Sequence, residues 1–178
     1  AAVVARMAGL DLPVEPRKRT VFVVDAPNAR HPDAPLLIDS GFYMRPEQNH
    51  WIIATVPHND GPCAADDFEP DLHLFEDVIW EQAYNRAPGF DAVKVVRHWV
   101  GHYAYNTLDQ NAILGPHPGL PSLYFMNGFS GHGLQQSPAI GRGLAEHILT
   151  GGWQSLDLSD LSIDRVLKGQ PFKELAIV

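Results

Sequence analysis

Residues 128–138 read Gly128-Phe129-Ser130-Gly131-His132-Gly133-Leu134-Gln135-Gln136-Ser137-Pro138, which places three glycines and a histidine directly before a predicted helix start. Glycine allows sharp turns and the close approach of a ligand to the backbone. Ser137 and Pro138 are typical of the N-cap and first position of a helix, which the pattern predicts to run to Gly151. A helix start offers unpaired N–H groups and partial positive charge. The stretch therefore suits an electron-rich ring or a phosphate.

Composition limits the classes of protein to which the chain can belong. The 178 residues are 45% hydrophobic and 19% charged, which suits one globular unit or part of a two-domain protein. A net charge of −8 argues against a nucleic-acid or anionic-membrane surface. The lone Cys63 excludes an internal disulfide, and no apolar run reaches the ~20 residues of a membrane span. No Gly-x-Gly-x-x-Gly motif follows a strand, so the usual dinucleotide site is absent.

Apolar patterning predicts strands in the first part of the chain. After an extended segment at 12–16, a buried strand is predicted at 20–24 and a short one at 36–39. Residues 42–46 and 51–56 flank a turn and predict a hairpin.

Helical spacing and further strands follow. The apolar spacing predicts a helix over 72–86, a long strand follows at 92–106, and short strands at 112–114 and 123–126 bracket a turn-rich segment. The tail, 153–178, has no strong period. This mixture favours an α+β fold over a wound parallel sheet.

Three segments together resemble the FAD-dependent amine and amino-acid oxidoreductases of the D-amino-acid oxidase superfamily. They are Phe125 to Gly141 with the glycine-rich loop at its centre, Leu36 to Pro46, and Trp99 to Pro118. The last is especially similar to a mitochondrial branch of the family that is linked to the assembly of respiratory complex I. Sarcosine oxidase, glycine oxidase and dimethylglycine dehydrogenase are members of the superfamily.

The resemblance implies a division of the chain. Residues 1–20 would end a helix of the FAD-binding domain and cross over; 21–110 would form a substrate-binding domain with a mixed or antiparallel sheet and flanking helices. Residues 111–152 would return to the FAD-binding domain as a strand, a loop and a helix, and 153–178 would form a tail. The family's N-terminal FAD-binding half is not in this sequence, and the resemblance implies that half as a partner.

For the cofactor, the resemblance implies FAD that is held non-covalently through this half of the protein and that needs the N-terminal half for binding. The loop would pass beside the flavin ring, with contacts from Gly128, Ser130, Gly131, His132, Gly133, Leu134 and Gln135. Positive charge at this place favours the reduced flavin. The cysteine that carries flavin in sarcosine oxidase has no counterpart near Gly101 and His102, and Gln135 stands where that enzyme has lysine.

For the substrate, the resemblance implies oxidation of a C–N bond in a small amine or amino acid by hydride transfer to flavin. The residues expected on the substrate side are Tyr103, Tyr105, Arg45 and His102. Tyrosine or arginine donors would hold a substrate carboxylate. Tyr103 stands close to a carboxylate-binding arginine of glycine oxidase, so substrate identity does not transfer.

Other roles for the same residues stay open. Tyr103 and Tyr105 also suit sheet packing, and Arg45 also suits pairing with a nearby acid. His98 and His102 have metal-ligand spacing only on a helix, so no metal is expected. The alternative function is a flavin-containing assembly or binding module, or a fragment that is inactive alone. The expected location is the cytoplasm for a bacterial protein and the mitochondrial matrix for a eukaryotic one; the oligomeric state is left open.

Overall fold

The computed structural model describes residues 1–175, which form two compact units. Of the described residues, the first unit comprises 1–16 together with 103–175, and the second comprises 17–102. Strands β1 (Val14–Asp25) and β5 (Lys94–Asn106) each have residues in both units. The segment 103–110, which the sequence analysis grouped with the substrate side, thus belongs to the first unit.

The second unit is built on a five-stranded sheet. Its strands lie in the order β2-β3-β4-β1-β5, where β2 is Leu37–Asp39, β3 is Phe42–Glu47 and β4 is His50–Thr55. Phe22 and Ile53 pair across β1 and β4 and are both buried in the main core. A π-helical turn (Phe75–Ile79) continues into helix α2 (Trp80–Arg86), and its Ile79 and Ala83 join that core. Burial of each large apolar side chain contributes about 1.5–3 kcal/mol.

The first unit contains the remaining helices and a hairpin. Helix α1 (Ala2–Met7) opens the chain, and β6 (Ile113–His117) pairs antiparallel with β7 (Leu120–Asn127). Helix α3 (Gly133–Thr150) follows the glycine-rich loop, and α4 (Ile163–Leu167) packs near β6. Ile140 of α3 lies in one apolar cluster with Ala112 and Leu114.

These observations confirm the mixed α+β class, with antiparallel sheets and flanking helices. The hairpin at 42–55, the long strand ending at Asn106 and the end of α3 at Gly151 all occur as expected. Gly151 has φ +83°, a left-handed conformation that suits glycine at a helix end.

The predicted start of α3 is wrong by five residues. The helix begins at Gly133 with His132 at the N-cap, so Ser137 and Pro138 lie inside it. Pro138 has no N–H to donate to the carbonyl of Leu134, and the Ser137 hydroxyl donates to that oxygen instead, at 2.9 Å. The Ser137 hydroxyl thus replaces the backbone hydrogen bond that Pro138 cannot make, which explains why the helix continues through the proline.

Two other boundaries also differ from the sequence-based prediction, and one helix was not predicted. The extended segment at 12–16 already joins β1 at Val14. The turn-rich segment at 115–119 is mostly strand, because β6 runs to His117 and β7 begins at Leu120. The tail holds α4, which was missed because a five-residue helix is too short to show a period.

Residues 1–175 contain neither a membrane-spanning helix nor a cluster of metal-binding side chains. None of their helices has both the length and the apolar character needed to cross a lipid bilayer. None of their His, Cys, Asp and Glu side chains form a group of three that could hold a metal ion.

Candidate functional site

The glycine-rich loop, residues 128–133, has an unusual backbone. Gly128, Ser130 and Gly131 have φ values of +71°, +49° and +99°. Positive φ costs glycine nothing but strains other residues, so Ser130 must be held in place by its surroundings. Only 1% of Ser130 is exposed, which makes it the buried anchor of the loop.

Ser130 fixes the loop to the end of β5. Its N–H donates to the carbonyl of Ala104 at 3.1 Å, and its hydroxyl oxygen accepts from the N–H of Asn106 at 2.9 Å. The same hydroxyl lies 3.3 Å from the carbonyl of Gly128, to which it donates. These bonds give the strained backbone a single position relative to the last residues of the strand.

Tyr103 packs directly on Gly131. A Cβ atom added at Gly131 would lie 3.1 Å from Cε2 of the Tyr103 ring, closer than ordinary van der Waals contact. The absence of a side chain therefore allows the ring to lie on the loop backbone. Two residues that the sequence analysis assigned to cofactor and to substrate are thus in contact.

Helix α3 begins at the end of this loop. Its first intrahelical bond from the loop side runs from the N–H of Gln136 to the carbonyl of His132, at 3.2 Å. The N–H groups of Gly133, Leu134 and Gln135 therefore belong to the first turn and have no acceptor within the helix. Leu134 is 89% exposed, and Gln135 is exposed as well. The partial positive charge of an 18-residue helix is concentrated here.

A buried polar network is bonded to the glycine-rich loop through Asn106. Asn106 donates from Nδ2 to Oδ1 of Asp109 and to the carbonyl of Asn111, each at 2.7 Å. Arg165 of α4 donates two hydrogen bonds to the carboxylate of Asp109, from Nε to Oδ2 at 2.7 Å and from a terminal nitrogen to Oδ1 at 3.1 Å. The side chains of Asp109 and Arg165 are 0% and 7% exposed. We call Asn106, Asp109, Asn111 and Arg165 the Asp109 network.

The Asp109 network keeps its carboxylate ionised. Burial alone would raise the pKa of Asp109, but the Arg165 guanidinium and the N–H groups of Phe172 and Asn111 outweigh it. The pKa of Asp109 is therefore held below its ordinary value. Because Asn106 bonds both to Asp109 and to Ser130, it links the network to the glycine-rich loop.

The other residues expected at the substrate side lie in different surroundings. Tyr105 is buried, and its hydroxyl accepts from Nε2 of Gln110 at 2.6 Å. Arg45, in the second unit, is exposed and pairs with Glu47, the other role that its sequence position left open. His102 stacks on Phe68 with ring centroids 4.4 Å apart, and its Nε2 lies 2.6 Å from the carbonyl of Asp67. Roles of these residues toward a substrate stay predictions.

Sequence reasoning missed Arg165. It lies 56 residues from Asp109 along the chain, in a segment with no strong period. The signal that could have found it is the run Ile163-Asp164-Arg165-Val166-Leu167 after Ser162, a short amphipathic helix with a serine N-cap.

The chain matches the family described as "DAO: FAD dependent oxidoreductase" over residues 1–147, and it belongs to that family. It is similar to proteins named FAD-dependent oxidoreductase domain-containing protein 1. The relative from Xenopus laevis is 43% identical over 175 residues, covering 97% of this chain and 35% of the relative. The Bos taurus relative is 41% identical, covering 97% and 36%. The chain thus spans about a third of the length of these relatives, and the resemblance drawn from the sequence is confirmed.

Solved structures show the same fold. L-proline dehydrogenase from P. horikoshii has a TM-score of 0.78 at 26% identity, covering 95% of this chain and 45% of that one. Glycine oxidase from Geobacillus kaustophilus has a TM-score of 0.74 at 25% identity, covering 91% and 42%.

The glycine-rich loop fits the ring of FAD chemically. It offers exposed backbone without bulky or acidic side chains at Gly131, and donor N–H groups at the start of α3. An electron-rich heterocycle with carbonyl and ring nitrogen acceptors is the type of group such donors bind. Within residues 128–135, the only ring side chains are Phe129 and His132, so most contacts would come from the backbone.

Proposed function

We propose that this chain works as the C-terminal portion of a longer FAD-dependent oxidoreductase, which oxidises a C–N bond in a small amine or amino acid. Family membership supports the cofactor, and the similarity to an L-proline dehydrogenase and a glycine oxidase supports the substrate class. The single observation that carries the proposal is the contact between Tyr103 and Gly131, next to the unpaired N–H groups that begin α3.

The loop's role in this proposal is to hold and tune the cofactor. N–H groups of Gly131, Gly133, Leu134 and Gln135 would donate to the flavin ring, with Gly128, Ser130 and His132 setting the course of the backbone. The bound cofactor supplies the acceptor for a hydride from the carbon next to nitrogen. Fixed donors that need no rearrangement stabilise negative charge on the ring better than water does.

The role of Tyr103 is to orient the substrate. Its ring is fixed on Gly131, so its hydroxyl would stand at a set distance from whatever lies on the loop. A hydroxyl donor suits the carboxylate of an amino acid. Tyr105, Arg45 and His102 are proposed as further residues around the substrate.

Anaerobic flavin bleaching tests the activity. We expect the longer protein, purified with FAD, to lose its yellow absorbance on addition of one of sarcosine, dimethylglycine, glycine, proline or related secondary amines. Failure of every compound in such a panel would reject the oxidoreductase proposal and favour the binding-module alternative.

Removing one oxygen atom tests Tyr103. We expect Tyr103→Phe to raise the amine concentration for half-maximal bleaching about 10- to 100-fold, because a hydrogen bond to a charged group contributes about 1.5–3 kcal/mol. The matched control is Tyr84→Phe, since Tyr84 is an exposed tyrosine on α2 in the second unit. Equal behaviour of the two variants would contradict the role of Tyr103.

The 178-residue chain by itself should bind FAD poorly. It has no Gly-x-Gly-x-x-Gly motif for the pyrophosphate, so we propose that the rest of the longer protein provides most of the FAD contacts. Exposed apolar side chains on α1 and α3 of the first unit suit contact with that part: Val4, Met7, Leu134 and Leu149. We expect no retained flavin absorbance after gel filtration of the chain with micromolar FAD. Stoichiometric FAD on the chain alone would contradict this.

A further inference from the structure

The second unit carries a strongly acidic segment. Between Arg45 and Arg86 the sequence has no lysine or arginine, while its carboxylates are Glu47, Asp60, Asp66, Asp67, Glu69, Asp71, Glu76, Asp77 and Glu81. A uniform sign over so long a stretch creates a local negative potential. The net charge of the whole chain, −8, adds to that potential.

Neighbouring cations neutralise only part of this charge. Asp60 pairs with Arg17 and Arg19 at 2.9 and 2.6 Å, and Lys18 lies 3.0 Å from Asp67 and 3.4 Å from Asp71. Within the described chain, Glu76, Asp77 and Glu81 form no ion pair. These three carboxylates all lie exposed on the π-helical turn and α2.

The same helical segment presents aromatic side chains. Trp80 is 46% exposed and Tyr84 is 47% exposed, four residues apart and thus neighbours along the helix. The indole N–H of Trp80 donates to the carbonyl of Phe90 at 2.9 Å, so the ring is held in one orientation. A fixed aromatic ring loses little entropy on binding, and Trp and Tyr are enriched where partners bind most strongly.

A cavity of about 450 Å³ borders this surface. Its wall includes Asp71, His73 and Asp77 at the start of the helical segment, His58 from the preceding loop, and Lys18 from β1. Lys18 neutralises part of the charge of Asp71 on this wall, at 3.4 Å, whereas Asp77 forms no ion pair with any described residue, so the part of the wall near Asp77 favours a cationic side chain.

We propose that the surface formed by Glu76, Asp77, Trp80, Glu81 and Tyr84 docks a basic, partly apolar segment of a separate protein. Charge complementarity selects the partner: carboxylates attract lysine and arginine, and the aromatic faces add cation–π contact. One basic side chain of the partner enters the cavity beside Asp77. Docking of this kind is independent of FAD and substrate, so the proposal stands whatever the outcome for the oxidoreductase.

The test uses the longer protein and a fluorescent amphipathic peptide of alternating arginine and leucine. We expect binding that weakens as salt rises, and about tenfold weaker binding by the variant Glu76→Gln/Asp77→Asn/Glu81→Gln, since each exposed ion pair contributes modestly. The matched control, Asp11→Asn/Asp33→Asn/Asp160→Asn, removes the same charge from exposed positions elsewhere and should bind like the unmodified protein. Circular dichroism checks that both variants are folded.

A second variant tests whether the aromatic side chains contribute to binding beyond the attraction between opposite charges. Tyr84→Ser keeps every carboxylate, and we expect it to weaken peptide binding severalfold. Equal losses in the two charge variants, or no effect of Tyr84→Ser, would overturn the proposal. It would also be overturned if the peptide bound the 178-residue chain but not the longer protein, because the surface would then be covered by the protein's own remaining residues.

Discussion

We expect the Gly131→Ala variant of the longer protein to lose most of its FAD while its second unit stays folded. Alanine at φ +99° is strained, and its Cβ would lie 3.1 Å from the Tyr103 ring. Strain of this kind costs about 1–3 kcal/mol, which the loop can relieve only by leaving its position against β5. Flavin absorbance per protein and thermal unfolding are the two measurements.

Gly141→Ala is the matched control for this prediction. A Cβ at Gly141 meets nothing within 4 Å, and the residue lies in the regular part of α3. That change should leave FAD content unaltered and raise stability by about 0.5–1 kcal/mol, because alanine favours helix over glycine. The double variant Gly131→Ala/Tyr103→Ala removes the clash but keeps the backbone strain, so it separates the two causes. A Gly131→Ala protein with full FAD content would contradict the assigned role of the loop.

The second large effect is expected at the Asp109 network. Asp109→Asn leaves the buried Arg165 guanidinium without its anionic partner, and Arg165→Met does the converse. Each should lower the free energy of unfolding by about 3–5 kcal/mol, the usual cost of breaking a buried pair from one side. Urea titration of the 178-residue chain measures it. The control is Arg142→Gln, which breaks the exposed Arg142–Glu146 pair on α3 and should have a far smaller effect.

The effect of Asp109 also depends on pH. Its pKa is lowered in the folded protein, so the folded state keeps the carboxylate ionised where the unfolded chain, with a pKa of about 3.9, takes up a proton. The stabilisation is therefore complete above the unfolded pKa and is lost as pH falls from there through the folded pKa. The stability difference between the unmodified chain and Asp109→Asn should shrink below about pH 4. A difference independent of pH would show that the charge of Asp109 does not stabilise the fold.

Local signals in the sequence predicted the parts of the fold that depend on neighbouring residues. The hairpin at 42–55 and the end of α3 at Gly151 follow from turn residues and periodicity. The start of α3 was not predicted correctly. Serine followed by proline is typical of a helix start, but here both residues lie inside the helix, where the Ser137 hydroxyl bonds to the carbonyl of Leu134. Arg165 was not predicted either, since its partner is set by tertiary contact over 56 residues.

The candidate site was likewise predicted only in part from the sequence. The glycines of the loop were evident from their spacing, and their resemblance to a family gave them a role. That Ser130 is a buried anchor, that Tyr103 packs on Gly131, and that Arg45 pairs with Glu47 are facts of three-dimensional packing. No pattern of residue types along the chain distinguishes a tyrosine that lies on the loop from one, such as Tyr105, that is buried beside Gln110.

The bond between Asp109 and Arg165 has a practical consequence for shortened forms of the protein. It closes a ring of chain that contains β6, β7, the glycine-rich loop and α3. Trimming by a protease, an alternative exon or a cloning boundary placed after α3 would delete Arg165 and open that ring. Such a product would keep every residue of this chain that is expected to contact flavin, but it would lose the Asp109–Arg165 ion pair that holds this part of the chain together.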